Sequence, residues 1–252
     1  MIELSVVEQN ENKIRNSAYI GRFISMGQSK TLNYFYQIYC TMGRSKESQA
    51  RKLIEDNGII KTIPVLNPNI NNADNRLLMY TVAGNHGATH VVGNGEQTDT
   101  ILTYLQENKT FEDAVYTWNH EYDLPINTPR ISAIARRLDK GRMDYRFSIN
   151  RIFYNDEQNS ICEVYRYQTT IPGYGLFIHT YDRDNLCKPF MGKPYLLKIH
   201  DTIDDNFKYY SELINENIFV GIFIKKIDIA NGHFEWMIVN RGGEKFAGKC
   251  ER

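Results

Sequence analysis

A chain of 252 residues is long enough to bury a substantial core, and 42% hydrophobic with 24% charged residues is ordinary globular composition. Its 30 basic and 30 acidic side chains cancel, which excludes the basic excess that supplies most of the affinity of a duplex-binding protein. Nucleic acid is therefore not an expected partner, although one or two cations would still hold a single phosphate.

In chain order, residues 1–17 read as a polar N-terminal extension, and Met1–Arg15 lacks the apolar core of a signal peptide. Strands are predicted at Tyr19–Ser25 and Leu32–Cys40. The second alternates Leu32, Tyr34, Tyr36, Ile38 and Cys40 against Asn33 and Gln37, the pattern of a half-buried strand. Leu77–Val82 and Thr89–Val92 follow as strands, with Gly84-Asn85-His86-Gly87 as the turn between them. Thr98-Asp99 reads as the cap of a helix whose apolar face holds Ile101, Leu102 and Leu105. Phe111–Trp118 and Ile203–Ile214 are further predicted helices. Tyr145–Tyr154, Ser160–Thr169, Leu176–Tyr181, Tyr195–Ile199, Ile218–Ile229 and Phe234–Val239 complete the strands. Many strands and few helices argue an α+β layered fold with antiparallel sheets and helices outside. No repeat or low-complexity linker divides the chain, so a single domain over residues 1–252 is expected.

Cys40, Cys162, Cys187 and Cys250 form no Cys-x-x-Cys pair, which argues against a zinc ribbon or a thioredoxin-like motif. The longest apolar run, Ile218–Ile224, is far too short to span a bilayer. A cytoplasmic protein without membrane contact is the expectation.

Three segments could carry chemistry. Gly43-Arg44-Ser45 ends a predicted strand; a guanidinium beside a hydroxyl can bind a phosphate or carboxylate, and the same residues also suit a solvated turn. Gly93 to Asp99 contains glycines that let backbone approach a ligand, before a helix start that can face an anion. It lacks the Walker A ending and the dinucleotide-binding spacing, and a plain turn with a helix cap is the alternative. His120-Glu121-Tyr122-Asp123 with Asn127-Thr128-Pro129-Arg130 brings two acids and a cation together; one acid could have a shifted pKa in a cleft, or the segment could be a structural loop. His86 and His90 have helical ligand spacing but lie in a turn and strand and lack the glutamate of a zinc-protease motif, so no metal is expected. His179 reads as a core or rim histidine.

Taken together these segments resemble the archaeal-type IMP cyclohydrolase family. Tyr19-Ile20-Gly21-Arg22-Phe23 is similar to its opening strand, and Tyr36-Gln37-Ile38 running to Gly43-Arg44-Ser45 to its strand ending in Arg-Ser. Asn67-Pro68-Asn69-Ile70 with Arg76 resembles its Asn-Pro segment, and Asn94-Gly95 to Thr98-Asp99 its Asn-Gly…Thr-Asp loop. Asp123 with Asn127-Thr128-Pro129-Arg130-Ile131 is the most specific match. Where the family places a Tyr-Asn pair, this chain reads Asn72-Ala73 without gaps.

The resemblance implies a four-layer α-β-β-α sandwich of two antiparallel sheets, like the N-terminal-nucleophile (Ntn) hydrolases, and an enzyme without metal or cofactor. In the family reaction the carboxamide nitrogen of formyl-aminoimidazole-carboxamide ribotide attacks the formyl carbon, and water leaves to give inosine monophosphate (IMP). Carried over, Arg44 and Ser45 anchor the nucleotide or orient its carbonyl, Glu121 or Asp123 handles the proton, and Lys193 is an electrophile. Arg22, Asn72, Arg76, Asn94, Gly95, Thr98, Asp99, Asn127, Thr128 and Arg130 line the substrate. The implied partner is a purine ribonucleotide, with homo-oligomer formation left open. A different amide-bearing nucleotide or metabolite on the same scaffold, or nucleotide binding without turnover, are the competing readings.

Overall fold

The computed structural model describes residues 4–65, 79–154, 156–182 and 188–250. In chain order the elements are α1 (Leu4–Arg15), β1 (Arg22–Gln28), β2 (Tyr34–Met42), α2 (Lys46–Gln49), β3 (Arg51–Asp56), β4 (Ile59–Pro64), β5 (Tyr80–His86) and β6 (Thr89–Gly93). They continue with α3 (Gln97–Gln106), α4 (Phe111–Val115), β7 (Arg130–Leu138), β8 (Arg142–Phe153), β9 (Asp156–Tyr167), β10 (Tyr174–His179) and β11 (Tyr195–Lys198). The last are α5 (Ile203–Ser211), β12 (Phe219–Asp228), β13 (Phe234–Asn240) and β14 (Lys245–Cys250).

The strands form two seven-stranded antiparallel sheets, in the orders β11-β10-β1-β2-β12-β13-β14 and β3-β4-β5-β6-β7-β8-β9. Three hydrophobic layers separate four structural ones. Phe35, Tyr39 and Phe223 of the first sheet meet Val82, Val92, Ile131 and Phe147 of the second in the central core. Tyr36, Ile38, Cys40 and Ile222 face outward against Tyr210 and Leu213 at α5 and Ile14 of α1. Val91 and Ile134 face outward from the second sheet against Ile101 of α3 and Phe111 of α4. The molecule is thus an α+β sandwich with helices on both outer faces.

This layering explains where simple alternation misleads. The strand β2 is buried on both faces, because odd residues enter the central core and even ones lie under α5; Gln37 is fully buried rather than half-solvated. It starts at Tyr34, not Leu32, which is exposed in a left-handed turn. The β5–β6 turn falls at Gly87-Ala88, so Gly84 to His86 remain in strand. Residues 77–78 of the predicted strand lie outside the described ones. The helices α4 and α5 stop earlier than Trp118 and Ile214. The strands β3, β4, β7 and β14 were not foreseen; β7 is an apolar run buried on both faces, which has no period-2 signal.

The N-terminal segment is not a loose extension. It forms α1, where Asn10 Nδ2 donates to Leu196 O of β11 (3.1 Å) and Glu11 receives the Tyr209 hydroxyl (2.8 Å). The free cysteines Cys40, Cys162 and Cys250 are dispersed. Among the described residues no helix is long and apolar enough to cross a membrane.

The edge strand β3 is tied across the sandwich by one side chain. Buried Asn240 of β13 donates to Leu53 O (2.9 Å) and accepts from Leu53 N (2.8 Å), imitating a strand partner. Replacing it with Leu strands both backbone groups in the interior. We expect Asn240→Leu to cost about 1–3 kcal/mol for each buried group left unpaired, measured as a lower midpoint in urea unfolding.

Candidate active site

In antiparallel sheets, alternate strands run the same way, so their first residues collect at one end. Arg22, Arg51, Tyr80 and Arg130 are the first residues of β1, β3, β5 and β7. Met42 closes β2 and Gly93 closes β6, so the loop carrying Asn94 and Gly95 opens on the same end. The apolar strand bodies bury themselves between the sheets, while their polar leading residues meet at the rim.

Arg22, Arg51 and Arg130 are each more than nine-tenths buried, and so is Glu121. Arg51 donates from Nη2 to Met42 O (3.0 Å), which pins it to the end of β2. Arg130 donates from Nη1 to Gln97 Oε1 (3.0 Å) and lies 3.4 Å from Glu121 Oε1, with its guanidinium 4.6 Å from the Trp118 ring centre. The Nε of Arg22, Nε and Nη1 of Arg51, and Nε of Arg130 are buried without a hydrogen-bond partner. Buried unpaired donors are costly, and guanidinium donors left this way are suited to an anion or a strongly polar oxygen.

Electrostatics sort the titratable groups. Burial raises the Glu121 carboxyl above its ordinary value, and the opposing charges of Arg22, Arg130 and Arg51 do not fully cancel that. Burial likewise lowers Arg130, against the pull of Glu121. Arg22 is also desolvated, yet Tyr80 and Glu121 hold it firmly charged, above its ordinary value. Tyr39 and Tyr80 share a buried hydroxyl contact of 2.7 Å. Burial opposes ionising either phenol; at Tyr80 the charges of Arg22 and Arg51 outweigh it and lower its pKa, while Tyr39 stays raised. Either hydroxyl can donate in that contact, and the charges of Arg22 and Arg51 bear on the Tyr80 oxygen.

The loops are braced by buried amides. Asn94 accepts from Ile131 N (2.8 Å) and Gln97 Nε2 (2.9 Å) and donates to Pro129 O (2.9 Å). Asp123 accepts from Thr128 N (2.7 Å) and Thr128 Oγ1 (2.6 Å), so both carboxylate oxygens are engaged. Since the Thr128 proton goes to Asp123, the Tyr181 hydroxyl donates to Thr128 Oγ1. Tyr181 stacks on Tyr19 at 5.6 Å, and the exposed Arg44 caps the Tyr19 ring at 4.5 Å. A continuous contact path thus runs from Arg44 at the rim to the buried Arg–Glu cluster. Asn127 sits buried in the left-handed region, with its side chain beside His120.

Of the residues singled out from sequence, Arg22, Asn94, Gly95, Glu121, Asp123, Asn127, Thr128 and Arg130 converge here, with Arg44 at the mouth. Others do not. The Ser45 hydroxyl accepts from Ser48 N and caps α2. Thr98 is buried inside the first turn of α3, whose N-cap is Glu96, because Gly93 packs against the threonine side chain. Asp99 is exposed on that turn and Lys193 is exposed before β11; among the described residues no hydrogen bond or ion pair joins either side chain to the cluster. Asn72 and Arg76 lie outside the described residues. Tyr80, Arg51, Gln97, Tyr39, Trp118 and Tyr181 join the cluster without a local signal: Tyr80 and Arg51 are single polar residues at strand starts, and the other four reach it only through tertiary packing.

The two candidate histidines of 86 and 90 are separated by burial: His86 is exposed and His90 packs edge-on against Phe234. His179 lies in an aromatic cluster with Phe190 and Tyr195, donates from Nδ1 to Tyr181 O (2.7 Å), and is pushed down to about 4 by burial.

Gly95 is fixed by this packing. A Cβ there would lie 2.5 Å from Arg130 Nη1 and 2.6 Å from Gln97 Oε1. We expect Gly95→Ala to turn Arg130 away from Glu121 and to cost about 1–3 kcal/mol, seen in the variant's crystal structure and its thermal unfolding.

No curated protein matches the chain. The sequence profile of the family described as IMP cyclohydrolase-like protein matches residues 19–229, which takes in β1 to β12 and every element of the cluster above. The chain belongs to the IMP cyclohydrolase-like family.

Proposed function

We propose that this protein is an enzyme that closes the purine ring of formyl-aminoimidazole-carboxamide ribotide, releasing water and IMP. The observation that carries the reading is the set of unpaired, buried guanidinium donors of Arg22, Arg51 and Arg130 around the buried carboxyl of Glu121. Family membership supplies the substrate class. The helix-sheet-sheet-helix order is also that of the Ntn hydrolases, and we assign the fold to that class.

The reaction joins two groups of one molecule, so alignment alone supplies several kcal/mol, on the order of an intramolecular advantage. Arg22 and Arg51, with Tyr80 polarised between them, hold the substrate's carbonyl oxygens. This leaves the carboxamide nitrogen against the formyl carbon. Glu121 takes a proton from the carboxamide nitrogen as the C–N bond forms and passes it to the formyl oxygen, giving a carbinol; the C–O bond then breaks as the formamido nitrogen loses its proton and forms the C=N bond, Glu121 relaying that proton to the hydroxyl so that it departs as water. A carboxyl whose pKa is raised by burial is suited to both steps, because its proton is neither held too tightly nor lost too early. Asp123 is a positioning residue that holds Thr128, and Arg130 stabilises the carboxylate form of Glu121 from a distance. Arg44, exposed at the mouth on Tyr19, meets the phosphate. No step needs a metal or redox cofactor.

Purified protein mixed with the formylated ribotide, followed by the absorbance change of ring closure, tests the reading. Turnover is expected. Binding of IMP without turnover would point to a nucleotide-binding protein, and neither effect to another substrate. We expect Glu121→Gln to lower kcat by roughly 10² with little change in melting temperature, and Arg44→Ala to act mainly on KM. Full activity in Glu121→Gln would remove the carboxyl from the mechanism.

The pH dependence has a defined sign. Glu121 must be ionised to take the proton, and its pKa is raised. The acid limb of kcat therefore falls at a pH above the ordinary glutamate range, and Glu121→Gln abolishes that limb.

A further inference from the structure

Gln97, the first residue of α3, is buried, and its side-chain amide stands between the glycine loop and the Arg130–Glu121 pair. Backbone polarity fixes its orientation. Ile131 N–H must donate and Pro129 C=O must accept, so Asn94 turns Oδ1 to the first (2.8 Å) and Nδ2 to the second (2.9 Å). Asn94 Oδ1 takes its second donor from Gln97 Nε2 (2.9 Å), which also reaches Ile131 O at 3.3 Å. That leaves Gln97 Oε1 facing the guanidinium, where it accepts from Arg130 Nη1 at 3.0 Å. A flipped amide would set its N–H groups against a cation and its oxygen against two acceptors.

The same Nη1 lies 3.4 Å from Glu121 Oε1, whereas a closed bond between a guanidinium and a carboxylate runs to about 2.7–2.9 Å. Arg130 is kept at that distance by Gln97 Oε1 in the plane of the guanidinium and by Trp118, whose ring centre is 4.6 Å away. The other charges that bear on Glu121 are Arg22 of β1, Arg51 of β3 and Asp123 of its own loop. Arg51 is tied to Met42 O and Asp123 to Thr128, through contacts in which residue 97 has no part. Glu96, the N-cap of α3, bears on Arg130 in turn.

We propose that Gln97 is a positioning residue that holds Arg130 off Glu121, and so leaves the carboxyl free to pass protons. The proposal rests on the role given to Glu121 above. With the Gln97 oxygen removed, Nη1 turns to the carboxylate and the ion pair closes. A nearer cation favours the ionised form, so Glu121 then titrates at lower pH. A carboxylate at position 97 acts in the opposite sense. It keeps Arg130 on its own side and adds a like charge near Glu121, which then titrates at higher pH.

Gln97→Met and Gln97→Glu test this as a pair. Both keep the length of the side chain and both lose the donor to Asn94, so loosened bracing acts alike in the two, while the effect on Glu121 has opposite signs. The carboxyl is followed by carbon-13 NMR of protein labelled at glutamate Cδ, with the Glu121 resonance assigned by its absence in Glu121→Gln. Its midpoint is expected to fall by about one pH unit in Gln97→Met, a tenfold change in proton affinity, and to rise in Gln97→Glu. The acid limb of kcat is expected to move with it. A midpoint that stays in place in both variants, or moves the same way in both, overturns the role. If Gln97→Met does not fold, the sign of the shift in Gln97→Glu decides alone. The titration needs no substrate, so the two readings fail separately: opposite shifts without turnover keep the role of Gln97 and sink ring closure.

Discussion

Burying guanidinium groups with unpaired donors is the costly act on which the rest of the structure turns. The Nε of Arg22, the Nε and Nη1 of Arg51 and the Nε of Arg130 are buried with no protein acceptor. The surroundings offset part of that cost. Met42 carbonyl holds Arg51, Gln97 and Trp118 hold Arg130, and Tyr80 and Glu121 keep Arg22 charged. What is left unsatisfied is available to a ligand's oxygens. In a dry site such donors act at full electrostatic strength and need no reorganisation when charge develops.

The same constraint explains the bracing around the cluster. A guanidinium can serve a reaction only if it stays at its station, and the neighbouring Glu121 invites it to collapse into a tight ion pair. Gln97 draws Arg130 by the same Nη1 that faces Glu121, and the Arg130–Glu121 contact stays at 3.4 Å. Asn94 locks the glycine loop to the start of β7 through two side-chain hydrogen bonds and to Gln97 of α3 through a third, and Gly95 leaves room for the cation. The Asp123–Thr128–Tyr181 chain does the same on the other wall. Polar residues that look catalytic in isolation thus divide into one buried carboxyl with a raised pKa and several that hold the frame.

The sandwich treats its end and its edge differently. At the end, strand starts deliver arginines and a tyrosine into a closed rim. Along the edge, the offset of the sheets leaves the inner face of β14 uncovered, over a cavity walled by Phe234 and Trp236. Both follow from the same topology, because antiparallel strands present alternate termini at each end and an overhang can form only at a sheet edge.

From residues alone came the strand-rich α+β class, the approximate positions of most strands, and the segments around Arg44, Asn94 and Glu121. Those signals are local: alternation, turn chemistry, and a motif contiguous in the chain. Ser45 and Thr98 show the limit, since a hydroxyl beside a functional residue can be spent on a helix cap or buried under a glycine. Tyr80 and Arg51 show it from the other side. Each is one polar residue at the head of a strand, and only strand direction brings them together with Arg22 and Arg130 across the two sheets. Which of Glu121 and Asp123 is buried was likewise decided by tertiary structure, because solvent exclusion and hydrogen-bond partners belong to the assembled layers and not to the spacing of two acids in a chain.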